Sequence, residues 1–573
     1  MTRRHWLSLW LTSIALSMAI LGPVFGPGYL LIRDMVSTPR SFVTDSALGL
    51  SDSAPRAVPQ DWLIAVASGV IDGGIVVKAL TFVAIVLAGV GYGRLARRVL
   101  PAAGTPGMVA ATVIAVWNPY VAERLLQGQW SLLVGYAALG WILIATVDVR
   151  RGGGWARWSV LAGCLAVAGI TPTGSLLAGF VLFAGLVIPA LVRREWRMAL
   201  TASTLWAASS LPWLTASFLG AGTGTADPGS VALFAARAEP WLGTAGSLLG
   251  LGGVWNADAV PESRTSPWAL VATAALLLVV LVGLPGLWHR RRNPVIRTAG
   301  GLAIGSVVLV ALAATPFGMA ILEWLVDTMP GAGLLRDTQK WIALAVPAYA
   351  LAAASAVQSA GRHVPKGFAA VVASALIVAP LPDLAWGVGN SLTPIHYPGD
   401  WQVVADTITS GHGDVLVLPV GTNRQYAFAD SVSLDPAPRL LRADVLQSGE
   451  LIVDGRSVDR PDSRATRAGE ALLAGSSPQA LAALGVGWVL VEGDSAIGAA
   501  PRTLAQLDLA FDGADLRVYR VDIDRLHSAI GEPSSVERGA LWVAHLVWIV
   551  LIANGLLAAV LKWPHRTAHR KRL

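Results

Sequence analysis

The sequence predicts a polytopic α-helical membrane protein with an α/β domain inserted before its last helix. Three observations predict this class. The 573 residues are 54% hydrophobic and only 14% charged, with a mean hydropathy of +0.58. Long apolar runs recur, such as ALVATAALLLVVLVGLPGLW (269–288) and TAGGLAIGSVVLVALAAT (298–315). Helices of that length cross a hydrocarbon core of about 30 Å, and a soluble domain would interrupt them with polar residues at helical period. Basic residues cluster at the ends of these runs: RLARR (94–98), RRGGGWAR (150–157), RREWR (193–197), HRRRNPVIR (289–297), GRHVPK (361–366) and the final KWPHRTAHRKRL. That is the positive-inside pattern of cytoplasmic loops, so the net charge of +7 reports topology rather than a nucleic-acid partner.

Taken in order, the chain predicts about twelve spans by the 20-residue criterion, near 7–32, 73–93, 103–118, 130–149, 157–176, 177–193, 198–218, 267–288, 298–316, 341–360, 367–386 and 539–561. The first has a basic flank and an apolar stretch like a signal peptide. It is long and lacks a small-x-small cleavage site, and so reads as a retained helix. The fifth and sixth are divided only by TPTGS (171–175). Trp6, Trp10, Trp155 and Trp158 sit near span ends as interface anchors. With the basic clusters in the cytoplasm, both termini are cytoplasmic, and the long loops fall on the outer face of the plasma membrane.

Residues 1–386 thus form a membrane core with outer loops, 387–538 an extracytoplasmic α/β domain, and 539–573 the last helix and a basic tail. The middle segment has β-like runs, DVLVLPVG (414–421), GWVLVEGD (487–494) and DLRVYRVD (515–522), between helical patterns. Strands alternating with helices predict the α/β class.

Unexplained polar residues gather on the outer side. In GPGYLLIRDMVSTPR (26–40), Arg33 and Asp34 follow the first span. Asp34 reads either as a solvated helix-end residue or as a general base, because the Gly-Pro-Gly turn makes a rigid exit and a partly desolvated carboxylate can take a proton. Asp45, Asp52 and Asp61 follow in the same loop. Lys78, inside DGGIVVKALTF, either snorkels to headgroups or meets a phosphate. In WNPYVAERLLQGQW (117–130), Glu123, Arg124, Gln127 and Gln129 lie on a short amphipathic turn, where a Glu–Arg pair that orders the loop is the alternative to a ligand role. In MPGAGLLRDTQKW (329–341), Arg336, Asp337 and Lys340 are closely spaced, and two cations one helical turn apart suit a phosphate.

Other chemistries find no support in the sequence. There is no Walker loop. The single Cys164 lies in an apolar run, so no intrachain disulfide is available. The nine histidines, His396 and His412 included, show no paired ligand spacing, so no metal site is predicted.

GPGYLLIRDMV, WNPYVAERLLQGQW and GAGLLRDTQKW together resemble actinobacterial GT-C membrane proteins, relatives of the mycobacterial polyprenyl-phosphate-dependent arabinofuranosyl- and mannosyltransferases. The resemblance implies a GT-C-like core and an inverting glycosyltransferase. Its donor is a sugar on polyprenyl phosphate, its acceptor a cell-envelope polysaccharide or glycolipid, and it needs no firmly predicted cofactor beyond the lipid-linked donor. Asp34 matches by location the acidic residue that acts as base. Arg124, Arg336 and Lys340, with Lys78, would hold the donor phosphate, supported by Arg33, Glu123, Gln127 and Asp337. Many such proteins carry a second acid beside the first. Here Met35 follows Asp34, which leaves Asp45 or Asp52 as the auxiliary acid. Competing readings are a noncatalytic scaffold for envelope lipid or glycan, and a transporter of lipid-linked intermediates.

Overall fold

The computed structural model describes residues 3–51, 54–152, 154–220, 227–329, 331–453, 456–458, 463–493, 498–521 and 533–561. Asp52 and the basic tail lie outside them. Among the described residues, eight helices are long and apolar enough to cross a membrane: Arg3–Phe25, Gly73–Val99, Trp130–Arg150, Pro172–Val192, Trp268–His289, Pro294–Ala313, Thr338–Ala360 and Ser535–Leu561. The pair Lys366–Val378 and Pro382–Asn390, bent by 81°, is a broken ninth span or a re-entrant loop. Burial separates a centre from a periphery. Trp130–Arg150 and Thr338–Ala360 are 78% and 83% buried, whereas Pro294–Ala313 and Ser535–Leu561 are each 28% buried and turn most of their apolar surface outward, as lipid-facing helices do.

Among the described residues, eight of the twelve expected spans, or nine with the bent pair, are long and apolar enough to cross. The expected 103–118 span is a 13-residue helix, Gly104–Val116, and the fifth is the 14-residue Trp155–Ala168. At 1.5 Å per residue each is only about 20 Å long. The 198–218 span divides into Trp196–Ser209 and Leu211–Leu219 at Ser210, just before Pro212. TPTGS is not a loop either: Thr171 caps the helix that begins at Pro172. The first helix ends at Leu21 rather than near 32, where Gly22 and Pro23 open a 3-10 turn to Phe25.

Beyond that turn come two short strands, β1 (Leu31–Ile32) and β2 (Met35–Val36), paired antiparallel. The other strands lie in the second half of the chain: β3 (Asp414–Leu418), β4 (Asn423–Arg424), β5 (Ser433–Leu434), β6 (Val445–Leu446), β7 (Leu451–Val453), β8 (Arg456–Val458), β9 (Val486–Glu492), β10 (Asp508–Asp512) and β11 (Leu516–Arg520). Five of them make a sheet in the order β10-β11-β9-β3-β6, with β3 parallel to β6 and β9, and β11 antiparallel to β9 and β10. Successive residues of a strand point to opposite faces. Val415 and Val417 therefore pack with Trp401, Val404 and Ile408 on one side, and Leu416 and Leu418 with Ala465, Ala468 and Leu472 on the other. Helices on both faces make this an α/β layer structure, set before the last helix.

Several contacts join the α/β domain to the core, two of them beside the first outer loop. Arg33 bridges in parallel to Ser433 beside the β1–β2 turn. The Asp444 carboxylate accepts the backbone N–H groups of Asp45 and Ser46 at 3.2 and 2.8 Å.

Candidate functional site

The turn of the β1–β2 hairpin is Arg33–Asp34, and several devices fix it. Gly28 (φ +101) passes so close to Ile395 that an added Cβ would lie 2.3 Å from the Ile395 carbonyl oxygen, and Tyr29 and Ile395 exchange backbone hydrogen bonds of 2.8 Å. Lys78, 8% exposed, donates at 2.7 Å to both the Gly26 and Gly28 carbonyls. It therefore neither snorkels nor lies open to a phosphate; its ammonium holds the Gly-Pro-Gly turn. Arg33 takes a positive φ of 46°, and its guanidinium donates to the carbonyls of Leu126 (2.6 Å) and Asp258 (2.5 Å). Burial lowers its pKa, opposed by Asp258 and Asp34.

Asp34 is half-buried. Its backbone N–H donates to the Gln127 carbonyl at 3.2 Å, and its Oδ2 accepts from Gln129 Nε2 at 3.0 Å. The hairpin rests on Gly128, which adopts φ +79; a Cβ there would lie 2.3 Å from the Met35 nitrogen.

Gln127 to Gln129 end the helix Pro119–Leu126, every residue of which is buried. Asn118 starts it, its Oδ1 accepting from the Val121 N–H at 3.0 Å with Pro119 at the first position. The reach of this helix into the protein brings Arg124 to full burial. Arg124 Nη1 donates to Gln129 Oε1 (2.8 Å) and Asp337 Oδ2 (2.9 Å), and Nη2 donates to Gln339 Oε1. Its side chain is 0% exposed, so Arg124 meets Asp337 rather than an incoming phosphate. Lys340 Nζ lies 3.5 Å from the same Asp337 oxygen, with 21% of its side chain exposed, and the Asp34 carboxylate acts on that ammonium as well. Gln129 thus links the half-buried Asp34 to a buried Arg–Asp pair, with the partly exposed Lys340 beside them.

Behind this lies a second layer. Glu123 Oε1 accepts from the Gly253 N–H (3.0 Å), and Oε2 accepts from the Val254 N–H (3.2 Å) and from Gln339 Nε2 (2.9 Å). Gly252 separates it from Glu239: an added Cβ would come within 2.3 Å of Glu239 and 3.1 Å of Glu123. Glu239 pairs with the buried Arg264 through its Nε (3.0 Å) and Nη2. Burial, with the Glu239 carboxylate nearby, pushes the Glu123 carboxyl well above the usual carboxylate range. At Asp337 the balance reverses. Burial alone would raise its pKa, but Arg124 and Lys340 hold the carboxyl below its usual range.

The structure therefore gathers Asp34, Glu123, Arg124, Asp337 and Lys340, with Gln127 supporting Asn256 (2.8 Å) at the rim. It directs three others elsewhere: Lys78, which holds the Gly-Pro-Gly turn, Arg336 and Asp45. Arg336 is not paired with Lys340 across one helical turn, because the segment is 3-10 with a break between Leu335 and Thr338. Its Nη1 donates to Ser230 Oγ at 2.6 Å and its guanidinium lies over Phe234. Asp45 is not an auxiliary acid to Asp34: it forms a two-pronged pair with Arg538 of the last helix at 2.7–3.1 Å. Sequence reasoning missed Gln339, Glu239, Arg264 and Asn256. Gln339 lay within a quoted motif; the other three come from the long 219–266 loop, where no spacing pointed to them. Among the described residues no group of three or more His, Cys, Asp or Glu is placed to hold a metal ion.

No protein-family model matches the chain, and no curated protein does. Solved structures do. A cryo-EM structure of AftD, an arabinofuranosyltransferase from mycobacteria, superposes with a TM-score of 0.55 at 17% identity, covering 92% of this chain and 40% of that one. A structure of an AftD point mutant gives 0.53 at 16% identity, covering 93% and 42%. The chain spans about two fifths of the length of these AftD chains. The likeness establishes the fold alone: the chain shares the membrane fold of these AftD structures.

Proposed function

From a membrane fold shared with a glycosyltransferase and a carboxylate–ammonium site at its boundary, we propose that the chain is an inverting glycosyltransferase. It moves a sugar, arabinofuranose or mannose, from a polyprenyl-phosphate donor to a cell-envelope glycan or glycolipid. The observation that carries this reading is that Gln129 ties the part-exposed Asp34 to the buried Arg124–Asp337 pair, against which the part-exposed Lys340 also lies. Asp34 accepts the proton of the acceptor hydroxyl as its oxygen bonds to the anomeric carbon. The bond from that carbon to the phosphate oxygen breaks, and the polyprenyl phosphate leaves with its charge facing Lys340. One displacement without a protein nucleophile inverts the anomeric centre. Arg124 acts through Gln129 and Asp337 as a positioning residue.

Topology supports an outer active face. The hairpin end of Gly73–Val99 is tied to Pro39, Gly73 N–H donating at 2.9 Å, while Arg97 and Arg98 sit in its last turn. A basic cluster thus lies at the opposite end from Asp34, which is the arrangement of a multi-pass plasma-membrane protein working outside.

The test is Asp34→Asn and Lys340→Gln in purified protein with a polyprenyl-phosphate sugar. Asp34→Asn should lower transfer by about 10²–10⁴-fold while still binding donor, and Lys340→Gln should weaken donor binding. A scaffold would be indifferent to Asp34→Asn, and a transporter of lipid-linked intermediates would keep moving its cargo. Transfer by Asp34→Asn at the parental rate would remove Asp34 as the base.

A further inference from the structure

Away from the candidate site, a second cationic constellation lies on the surface. The guanidinium carbon of Arg40 lies 5.4 Å from the centre of the Phe42 ring, and that of Arg442 lies 5.2 Å from the same centre. Both arginines are exposed. Neither forms an ion pair with a carboxylate among the described residues. The neighbouring acids are engaged: Asp444 accepts the Asp45 and Ser46 N–H groups, and Asp61 pairs with Arg439 at 3.2 Å. Two guanidinium groups held against one ring concentrate like charge there, which a nearby anion offsets.

The constellation is built, although it joins segments 400 residues apart in the sequence. Ser68 Oγ accepts from the Ser41 N–H (2.9 Å) and donates to the Ser41 carbonyl (3.1 Å), stapling the Arg40–Phe42 segment to the helix Gln60–Ala67. The Arg439–Asp61 pair ties the segment carrying Arg442 to that same helix. Arg40 packs on the Gly69 backbone, where a Cβ would come 2.7 Å from its Nη1.

Its position points to the class of anion. The Pro39 carbonyl accepts from Gly73, the first residue of a membrane-crossing helix, which puts Arg40 at the bilayer boundary on the face carrying the α/β domain. Val66, Val70 and Ile71 beside it are 45%, 90% and 52% exposed, an apolar edge suited to acyl chains. The positive-inside pattern does not account for arginines on this face. We propose that Arg40, Phe42 and Arg442 form a site for the headgroup of an anionic bilayer phospholipid, with Val66, Val70 and Ile71 along its chains. The site is separate from the Asp34–Lys340 site and does not depend on the reaction assigned there.

The full-length protein, delipidated in detergent, is titrated with phosphatidylglycerol or phosphatidylcholine, and retained lipids are counted by native mass spectrometry. Arg40→Gln and Arg442→Gln should each weaken retention of one phosphatidylglycerol by about fivefold, and together by about thirtyfold. Phosphatidylcholine retention should stay as in the parent, and Phe42→Leu should weaken the same lipid by loosening the pair. Melting temperatures within a degree or two of the parent would match the exposure of these side chains. The milder Arg40→Lys with Arg442→Lys, which keeps both charges, should hold the lipid if the double Gln variant melts early. Equal phosphatidylglycerol retention by parent and double Gln variant overturns the proposal. So does an equal loss of both lipids, or displacement of phosphatidylglycerol by millimolar inorganic phosphate, which would mark a site for free phosphate.

Discussion

The balance of charge around Arg124 decides what single residues do here. An arginine at 0% exposure holds its charge in the interior only because Asp337 supplies a compensating one. Asp337→Asn keeps the shape and removes that charge, leaving Arg124 without its ion-pair partner. Loss of one partner of a buried pair costs about 3–5 kcal/mol, so this variant should melt far below the parent in detergent. A melting temperature within 2 °C or so of the parent would show that Arg124 is neutralised by other groups. Five members of this cluster, Asp34, Glu123, Arg124, Asp337 and Lys340, were legible because they sit in three short polar stretches on one side of the predicted spans. Glu239 and Arg264 were not, because an ion pair between two points of a long loop leaves no periodic trace. Lys78 and Asp45 were legible as polar groups in unusual places but not in their roles. What each does depends on partners, the carbonyls of Gly26 and Gly28 or Arg538, that only the folded chain brings near.

Among the elements, the hairpin β1–β2 depends on a glycine it does not contain. Gly128 adopts a left-handed φ of +79, and a Cβ there would meet the Met35 nitrogen at 2.3 Å and the Ile32 oxygen at 2.6 Å, both backbone atoms. Gly128→Ala therefore combines an unfavourable conformation with a collision that no side-chain rotation relieves. It should displace the Asp34 turn and lower transfer at least tenfold while far-UV circular dichroism stays parental. Unchanged transfer would mean that the turn does not rest on this loop. Helix lengths show where sequence patterning fails. Hydropathy windows register apolar residues, whether or not a helix is continuous through them. Gly104–Val116 and the divided pair around Ser210 are apolar enough to be counted as spans but too short to cross alone. The three β-rich runs were easier, since β-branched residues bounded by glycine, proline or aspartate mark strands directly, and they became β3, β9 and β11.

Across the whole molecule, the α/β domain and the candidate site share a backbone joint. Arg33 N–H donates to the Val432 carbonyl at 2.8 Å, and Leu434 N–H donates to the Arg33 carbonyl at 2.9 Å. Strand β5 thereby holds the residue next to Asp34. Immediately after β5 comes Asp435, which pairs with the buried Arg424 at 3.2 Å, and Arg424 also binds Glu492 at the end of β9. Two carboxylates share one arginine. Burial, reinforced by Asp435, pushes the Glu492 carboxyl up to about 8 from its usual 4.5, and burial raises Asp435 in the same direction. For an acid with a raised folded-state pKa, the folded state keeps a proton that the unfolded state releases. Stability is then full below the unfolded value and declines as pH rises toward the folded one, by up to about 1.4 kcal/mol per pH unit for one group. The joint should therefore loosen between pH 5 and pH 8, a window set by the Glu492 shift. Hydrogen exchange at the Arg33 and Leu434 amides, corrected for the intrinsic pH dependence, reads this directly in the full-length protein. Protection should fall as pH rises, and Glu492→Gln, which cannot ionise, should flatten the profile while leaving the amides of Trp130–Arg150 unaffected. Equal corrected protection at both pH values in the parent, or an undiminished slope in Glu492→Gln, would place the control of the Asp34 turn elsewhere than in the Arg424 cluster.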